Sequence, residues 1–289
     1  MIIVELAGGM GNQMFQYAIG KYLATKHKTE LKIDLNFFKT YDWHEYSLGP
    51  LNIKETIATD KEISWLKGEY FQSRPERLFG IRKKLAHISH ITEKSLQFDQ
   101  NYLDLPNNIY LQGFWQSENY FSQISDKIRE EFNVKKDPSN ANNAFLTQIL
   151  SYNSSVSLHI RRGNYANLPE VTKFHGLCSM EYYSNAIDLI NSKVSNPCYF
   201  IFSDDITWVK DNLKIQNDHV FIDSNNDKSD YEDMRLMRAC KHNIIANSTF
   251  SWWGAWLGSN ENKIVIAPKI WFADQTKKID IIPKRWIKL

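Results

Sequence analysis

Short apolar runs that stop abruptly at polar or charged residues recur along this chain. The first, Ile2-Ile3-Val4 ahead of Glu5, reads as a buried strand. A glycine-rich turn follows, Ala7-Gly8-Gly9-Met10-Gly11, then a helical pattern over 15–26 and a strand at Leu31-Lys32-Ile33-Asp34. The spacing predicts helices over 61–67 and 76–87, and a turn and strand over 107–113. Phe114-Trp115-Gln116-Ser117-Glu118 then leads into a helix through Phe132. The polar stretch 133–143 is the best linker candidate, and Pro138 inside it can open a short helix through Leu150. Beyond it come strands at Ser155-Val156-Ser157-Leu158, Tyr199-Phe200-Ile201-Phe202, Val220-Phe221-Ile222 and Asn243-Ile244-Ile245-Ala246. Helical spacing over 180–191 and 231–240 separates them. Strands alternating with helices imply βαβ units and a parallel sheet, so the chain is α/β, with a first domain over 1–137 and a second over 138–289.

Ligands of an open parallel sheet bind outside the carboxyl ends of its strands. Unusual chemistry gathers at such ends here. The strand at 155–158 runs into His159-Ile160-Arg161-Arg162-Gly163-Asn164. Two adjacent guanidiniums there suit bidentate binding of phosphate or carboxylate, or else form ion pairs inside the fold. The strand at 199–202 ends in Ser203-Asp204-Asp205, and that at 243–246 in Asn247-Ser248-Thr249-Phe250-Ser251. Together these ends fit a nucleoside diphosphate. Arg161 or Arg162 would neutralise the pyrophosphate, while the hydroxyls and N–H groups of Ser248, Thr249 and Ser251 open a helix over 250–257 and complete the cradle. Asp204 could accept paired N–H donors from a guanine edge. Helix capping is the competing use of Asp204 or Asp205, and of Ser248 to Ser251.

Composition narrows the choice. The 289 residues carry 35 basic and 33 acidic side chains, net +2, too balanced for general nucleic-acid binding, so any anion site must be local. No apolar run is long enough to cross a bilayer, and the amino terminus lacks the basic and apolar regions of a signal peptide. Cys178, Cys198 and Cys240 are odd in number and have no metal-ligand spacing, which fits free thiols in a reducing cytoplasm. The many tryptophans and tyrosines serve packing, or stack sugars.

In the first half, Gly9, Gly11 and the later acid Asp34 imitate a dinucleotide-binding fingerprint, which would make the chain a nicotinamide-dependent oxidoreductase. Met14 stands where that fingerprint has its third glycine. Asn12 and Gln13 at the helix start look like ligand-facing amides, and Trp115 and Gln116 after a strand either border a sugar site or are a packed aromatic with a helix cap. A non-enzymatic sugar-binding protein is a further reading of the aromatic content.

Gly8-Gly9-Met10-Gly11-Asn12-Gln13-Met14-Phe15-Gln16, the run from His159 to Tyr165, Phe202-Ser203-Asp204-Asp205 and Asn247-Ser248-Thr249-Phe250-Ser251-Trp252-Trp253-Gly254 occur in order across almost the whole chain. In that combination the chain resembles the bacterial α1,2-fucosyltransferases of glycosyltransferase family 11. The resemblance implies a GT-B fold, two Rossmann-like domains facing across a cleft. It implies an inverting, metal-independent galactoside α1,2-fucosyltransferase that takes GDP-β-L-fucose as donor substrate and needs no cofactor. Its partner would be a terminal β-galactoside, free, lipid-linked or part of a surface polysaccharide precursor such as O-antigen. The enzyme would be cytoplasmic, able to work at the inner membrane face. Another nucleotide-sugar transferase on the same scaffold is the alternative.

Carried onto this sequence, the resemblance makes Arg161 the catalytic group that stabilises the leaving diphosphate. His159 and Asp204 hold the guanosine, Arg162 and Ser248, Thr249, Phe250 and Ser251 line the donor, and Asn12 lies near the diphosphate–fucose junction. Trp115 and Gln116, from their place after a strand, and Asn164 are the acceptor-binding candidates. Position 164 is Asn where the family pattern has Asp. An amide has no useful basicity, so the general base stays open, with Glu170 and His175 after the arginines as the candidates.

Overall fold

The computed structural model describes residues 1–41, 43–69, 89–163, 169–226, 229–274 and 276–289. The helix expected over 76–87 and the acceptor candidate Asn164 lie outside them. The chain divides into two compact units, Met1–Asn133 with Lys278–Ile281, and Val134–Lys277 with Ile282–Leu289. The short return Lys278–Ile281 thus packs with the first unit, although 138–289 reads in sequence as one domain.

The first unit is built on four parallel strands, β1 (Ile2–Glu5), β2 (Leu31–Asp34), β3 (His90–Thr92) and β4 (Ile109–Gln112), in the order β2-β1-β4-β3. Between β1 and β2 runs helix α1 (Met10–Lys26). It starts earlier than the periodicity suggests, because the turn is completed by Gly8 and Gly9 and Gly11 is already helical. Gly8 takes φ +72°, where a side chain would be strained, and a methyl there would also strike the Asn12 amide. Helix α2 (Asp60–Lys67) opens on a capping box in which Thr59 and Glu62 satisfy each other's backbone N–H groups. After β4 the expected continuous helix breaks into two 3₁₀ turns, Glu118–Tyr120 and Ser122–Ile124, before α3 (Ser125–Glu131).

The second unit has six parallel strands: β5 (Ser155–Ile160), β6 (Cys198–Ser203), β7 (His219–Ile222), β8 (His242–Ile244), β9 (Val265–Ala267) and β10 (Ile287–Lys288). Their order is β10-β9-β8-β5-β6-β7. Counted from β5, that is the dinucleotide-binding order, in which the chain first winds one way and then reverses between β5 and β8. Both faces of this sheet are covered, and the side chains sort by the two-residue period of a strand. Val156, Leu158 and Ile160 of β5 with Tyr199 and Ile201 of β6 pack on helix α6 (Met180–Lys193), against Tyr183, Ala186 and Ile190. Phe200 and Phe202 face the other way, onto Ile149 of α4 (Asn140–Ser151) and Leu236 and Met237 of α8 (Asp230–Ala239). Between these lie the short helices α5 (Pro169–His175) and α7 (Ile206–Asn212). The last helix, α9 (Thr249–Leu257), buries Trp252, Trp253 and Trp256 completely, and these three rings are core. No helix among the described residues is long and apolar enough to cross a membrane.

Candidate active site

The reversal point of the second sheet holds the arginines. They leave the carboxyl end of β5, whose neighbours are β6 and β8. Asp204, one residue past β6, reaches across to them. Its Oδ2 lies 3.0 Å from Arg161 Nη1, and its Oδ1 accepts the backbone N–H of Arg162 at 2.8 Å. Gly163 permits this approach, because a Cβ there would collide with the Asp204 carboxylate. Arg162 lies with its guanidinium 3.4 Å over the Trp208 ring and Nε 3.5 Å from Asp205 Oδ2. Asp205 also caps α7, accepting the Trp208 N–H at 3.3 Å.

Sequence left two uses of these charges open, ion pairing or ligand binding. The arrangement serves the first and leaves room for the second. The Arg161 side chain keeps 28% of its surface exposed. Both Asp204 oxygens are engaged by the arginine segment, so the carboxylate orients the two arginines, while each oxygen retains a second lone pair for the guanine contact expected of it.

His159 sits on β5 with 4% exposure, its ring 5.9 Å from that of Phe250. Among the described residues its Nδ1 is buried without a hydrogen-bond partner, the kind of orphan that a ligand or water completes. Burial, reinforced by the positive charge of Arg161, pushes its pKa down to about 3. His175, at the end of α5, is lowered to about 4 by the same two causes in the same order. An imidazole held that low is neutral near neutral pH and a weak proton acceptor, which counts against His175 as a strong base. Glu170 lies within α5; the structure describes its backbone alone.

Ser248 is the N-cap of α9 and makes no side-chain cap bond, and Ser251 Oγ donates to the Ser248 carbonyl at 3.2 Å. Thr249 and Phe250 are half-buried at the helix start. Asn247 just before them is a staple. Its amide donates to the carbonyls of His175 at 2.9 Å and Trp271 at 3.2 Å, fixing the end of α5 against the β8 edge. The strand-end pattern missed a further polar group. Asn225, beyond β7, donates to Asp233 Oδ1 at 2.6 Å and to Asn142 Oδ1 at 3.0 Å, and burial raises Asp233 to about 6. Asn225 lies in a featureless polar stretch, so only the fold brings it to this edge.

In the first unit, Gln116 Nε2 donates to Asn12 Oδ1 at 2.9 Å, joining two expected site residues at the reversal between β1 and β4. Trp115 behaves otherwise. It is fully buried at φ +56°, edge-on to Tyr102 and Tyr120, with its backbone N–H held by the Glu93 carboxylate. A ring with no exposed face cannot stack on a sugar, so the structure makes Trp115 a core residue that shapes the turn presenting Gln116.

The sequence profile of glycosyl transferase family 11 matches residues 1–289. The chain belongs to glycosyl transferase family 11. Within that frame it is 35% identical to an alpha-1,2-colitosyltransferase of Escherichia coli, covering 100% of this chain and 99% of the relative. It is 34% identical to the O-antigen biosynthesis glycosyltransferase WbnK, also of Escherichia coli, over 98% and 99%. Among solved structures, NodZ alpha-1,6-fucosyltransferase soaked with GDP-fucose shares the fold with TM-score 0.53 at 15% identity, covering 89% of this chain and 91% of that one. The family 11 chain is thus a glycosyltransferase with a GT-B fold, two α/β units each on a parallel sheet. Membership sets aside the nicotinamide reading of the glycine turn, where Met14 is wholly buried.

The buried histidines give this family 11 chain a specific acid response. His159 has a folded pKa of about 3 against 6.5 for the free side chain. Between those values the unfolded chain takes up a proton that the folded chain refuses, so stability is full above pH 6.5 and falls as pH drops toward 3. His175, lowered to about 4, adds the same sign. Urea unfolding across this window should show a shallower acid loss for His159→Gln than for the native chain. Parallel acid limbs would contradict a neutral buried His159.

Proposed function

We propose that this glycosyltransferase moves L-fucose from GDP-β-L-fucose to the 2-hydroxyl of a terminal β-galactose in a surface glycan of the O-antigen kind, inverting the anomeric centre. The observation that carries the reading is the Arg161–Arg162 pair, oriented by Asp204 and Asp205 at the reversal point of the second sheet. In the reaction, galactose O2 forms a bond to the anomeric carbon while the bond from that carbon to the β-phosphate oxygen breaks. GDP leaves with the electron pair, and the O2 proton passes to a base or to water. Charge grows on the diphosphate as the sugar departs. Arg161 and the α9 N-terminus at Ser248 and Thr249 stabilise it. Arg162, stacked on Trp208, adds fixed positive potential, and the orphan His159 nitrogen takes a polar contact from the nucleoside. An oxocarbenium-like transition state puts little demand on the base, which fits the low basicity of His175.

A second donor is favoured by one observation, the end-to-end match to a colitosyltransferase. Colitose lacks the 3-hydroxyl that fucose carries. A site built to hydrogen-bond that hydroxyl would discriminate strongly, because the analogue leaves buried polar groups unpaired. Comparing kcat/KM for GDP-fucose and GDP-colitose on a terminal β-galactoside, with linkage and anomeric configuration read from the product by NMR, decides both donor and acceptor. The proposal predicts an α1,2-fucosylated product, and transfer of colitose alone would replace it.

Activity is expected to survive exhaustive EDTA treatment. Asp204 and Asp205 are adjacent carboxylates already matched to arginines, and so compete poorly for a cation. Collapse of transfer on chelation, with recovery on adding magnesium or manganese, would overturn the metal-free mechanism and make the pair ligands.

A further inference from the structure

Five aromatic rings of the first unit, Phe37, Phe38, Tyr41, Trp43 and His44, crowd together without building core. They form a chain of ring contacts. Phe37 meets Phe38 at 5.5 Å and Tyr41 at 4.8 Å, and Tyr41 meets Trp43 at 6.2 Å and lies nearly parallel to His44 at 6.4 Å. Trp43 is 57% exposed and Tyr41 40%. Contiguous exposed aromatic surface of this kind marks a binding site more often than a packing fault.

The cluster is anchored where ligands of such a sheet bind. It follows the carboxyl end of β2. Gln13, fully buried in α1, donates to both the Gly8 carbonyl and the Glu45 carbonyl at 2.8 Å, and its Oε1 accepts the Ser47 N–H at 2.9 Å. One amide therefore clamps the chain beyond the aromatics to the glycine turn. His44 completes the join, since a methyl on Gly9 would rest 3.6 Å from its ring. Asn12, paired with Gln116, stands in the first turn of α1, directly after the glycines.

We infer that this aromatic ledge is the acceptor-glycan subsite, where the apolar C–H face of an acceptor pyranose stacks on Trp43 and Tyr41 while the Asn12–Gln116 amides meet its hydroxyls. The inference rests on the reading of the chain as a transferase to a terminal galactoside. Sugars match such a surface because one face of the ring is C–H and the rim is hydroxyl, and Trp and Tyr offer rigid amphipathic area to both. A lipid surface is the competing occupant. Charge argues against it, because Asp42 and Glu45 outnumber Lys39 along the stretch, whereas anionic membranes select clusters of Lys and Arg.

The decisive experiment compares KM for a terminal β-galactosyl disaccharide and KM for GDP-fucose in the native chain, Trp43→Ala, Tyr41→Ala and Trp43→Phe. Trp43→Ala should raise the acceptor KM about tenfold or more while the donor KM stays within about twofold, and Trp43→Phe should recover most of the loss. In the native protein without donor, the Trp43 indole N–H signal, assigned by its absence from Trp43→Phe, should shift and saturate as the disaccharide is added. An unchanged acceptor KM, equal rises in both KM values, or an unmoved indole signal would overturn the ledge. So would vesicle binding lost in Trp43→Ala with acceptor KM intact. Should the native chain neither hydrolyse nor transfer from GDP-fucose, the donor reading falls by itself. The indole titration then decides the ledge alone, saturation supporting it and silence rejecting it.

Discussion

Arg161→Ala should lose about a hundredfold or more in turnover, with folding intact and the acceptor KM nearly unchanged. The expectation follows from where the guanidinium stands. It leaves the carboxyl end of β5, is steadied from one side by Asp204, and its side chain is partly exposed. A group fixed in advance toward charge that grows only as the bond breaks lowers the barrier without tightening the ground state equally. Arg161→Lys separates charge from geometry. Lysine keeps the charge but presents a compact point in place of a planar fork, so it should recover a small part of the loss. Near-native turnover in both variants, with folding verified by circular dichroism, would remove Arg161 from the chemistry.

The next largest effect is expected at Asp204, which acts through the arginines and is a positioning residue. Its two oxygens hold the Arg161 guanidinium and the Arg162 backbone N–H. Asp204→Asn keeps one acceptor but turns an amide N–H₂ toward the guanidinium, so the fork loses its seat. Turnover should fall about tenfold or more, less than for Arg161→Ala. Gly163→Ala should reproduce the defect, because the added methyl occupies the space of the same carboxylate. A merely structural role would also lower activity, and a double-mutant cycle tells the two apart. If Asp204 works through Arg161, Asp204→Asn costs little further turnover in an Arg161→Ala background. Additive losses would show that Asp204 contributes on its own, and the positioning role would be abandoned.

Much of the second unit is legible in sequence, because buried parallel strands read as apolar runs and their polar ends stand out against them. The runs at 155–158, 199–202 and 243–246 correspond to β5, β6 and β8, and the helix expected over 231–240 is α8, displaced by one residue. The family was legible too, since four motifs in fixed order leave little freedom. What escaped depends on partners far away in the chain. Nothing local says that both Asp204 oxygens meet residues some forty positions earlier. Trp115 follows a strand like a sugar-facing residue, yet a positive φ and the Glu93 carboxylate turn it inward. The aromatic ledge was invisible for the opposite reason. Its rings read as ordinary core until the fold leaves Trp43 and Tyr41 exposed beside the glycine turn.

Titration calorimetry of GDP into the native chain and Arg161→Ala addresses the diphosphate site with no dependence on the acceptor. GDP should bind the native chain more tightly than UDP and much more tightly than GMP, which lacks the second phosphate, and Arg161→Ala should weaken it about tenfold or more. Equal affinity for GDP and GMP, or GDP binding unchanged in Arg161→Ala, would contradict a diphosphate held at the carboxyl edge of β5.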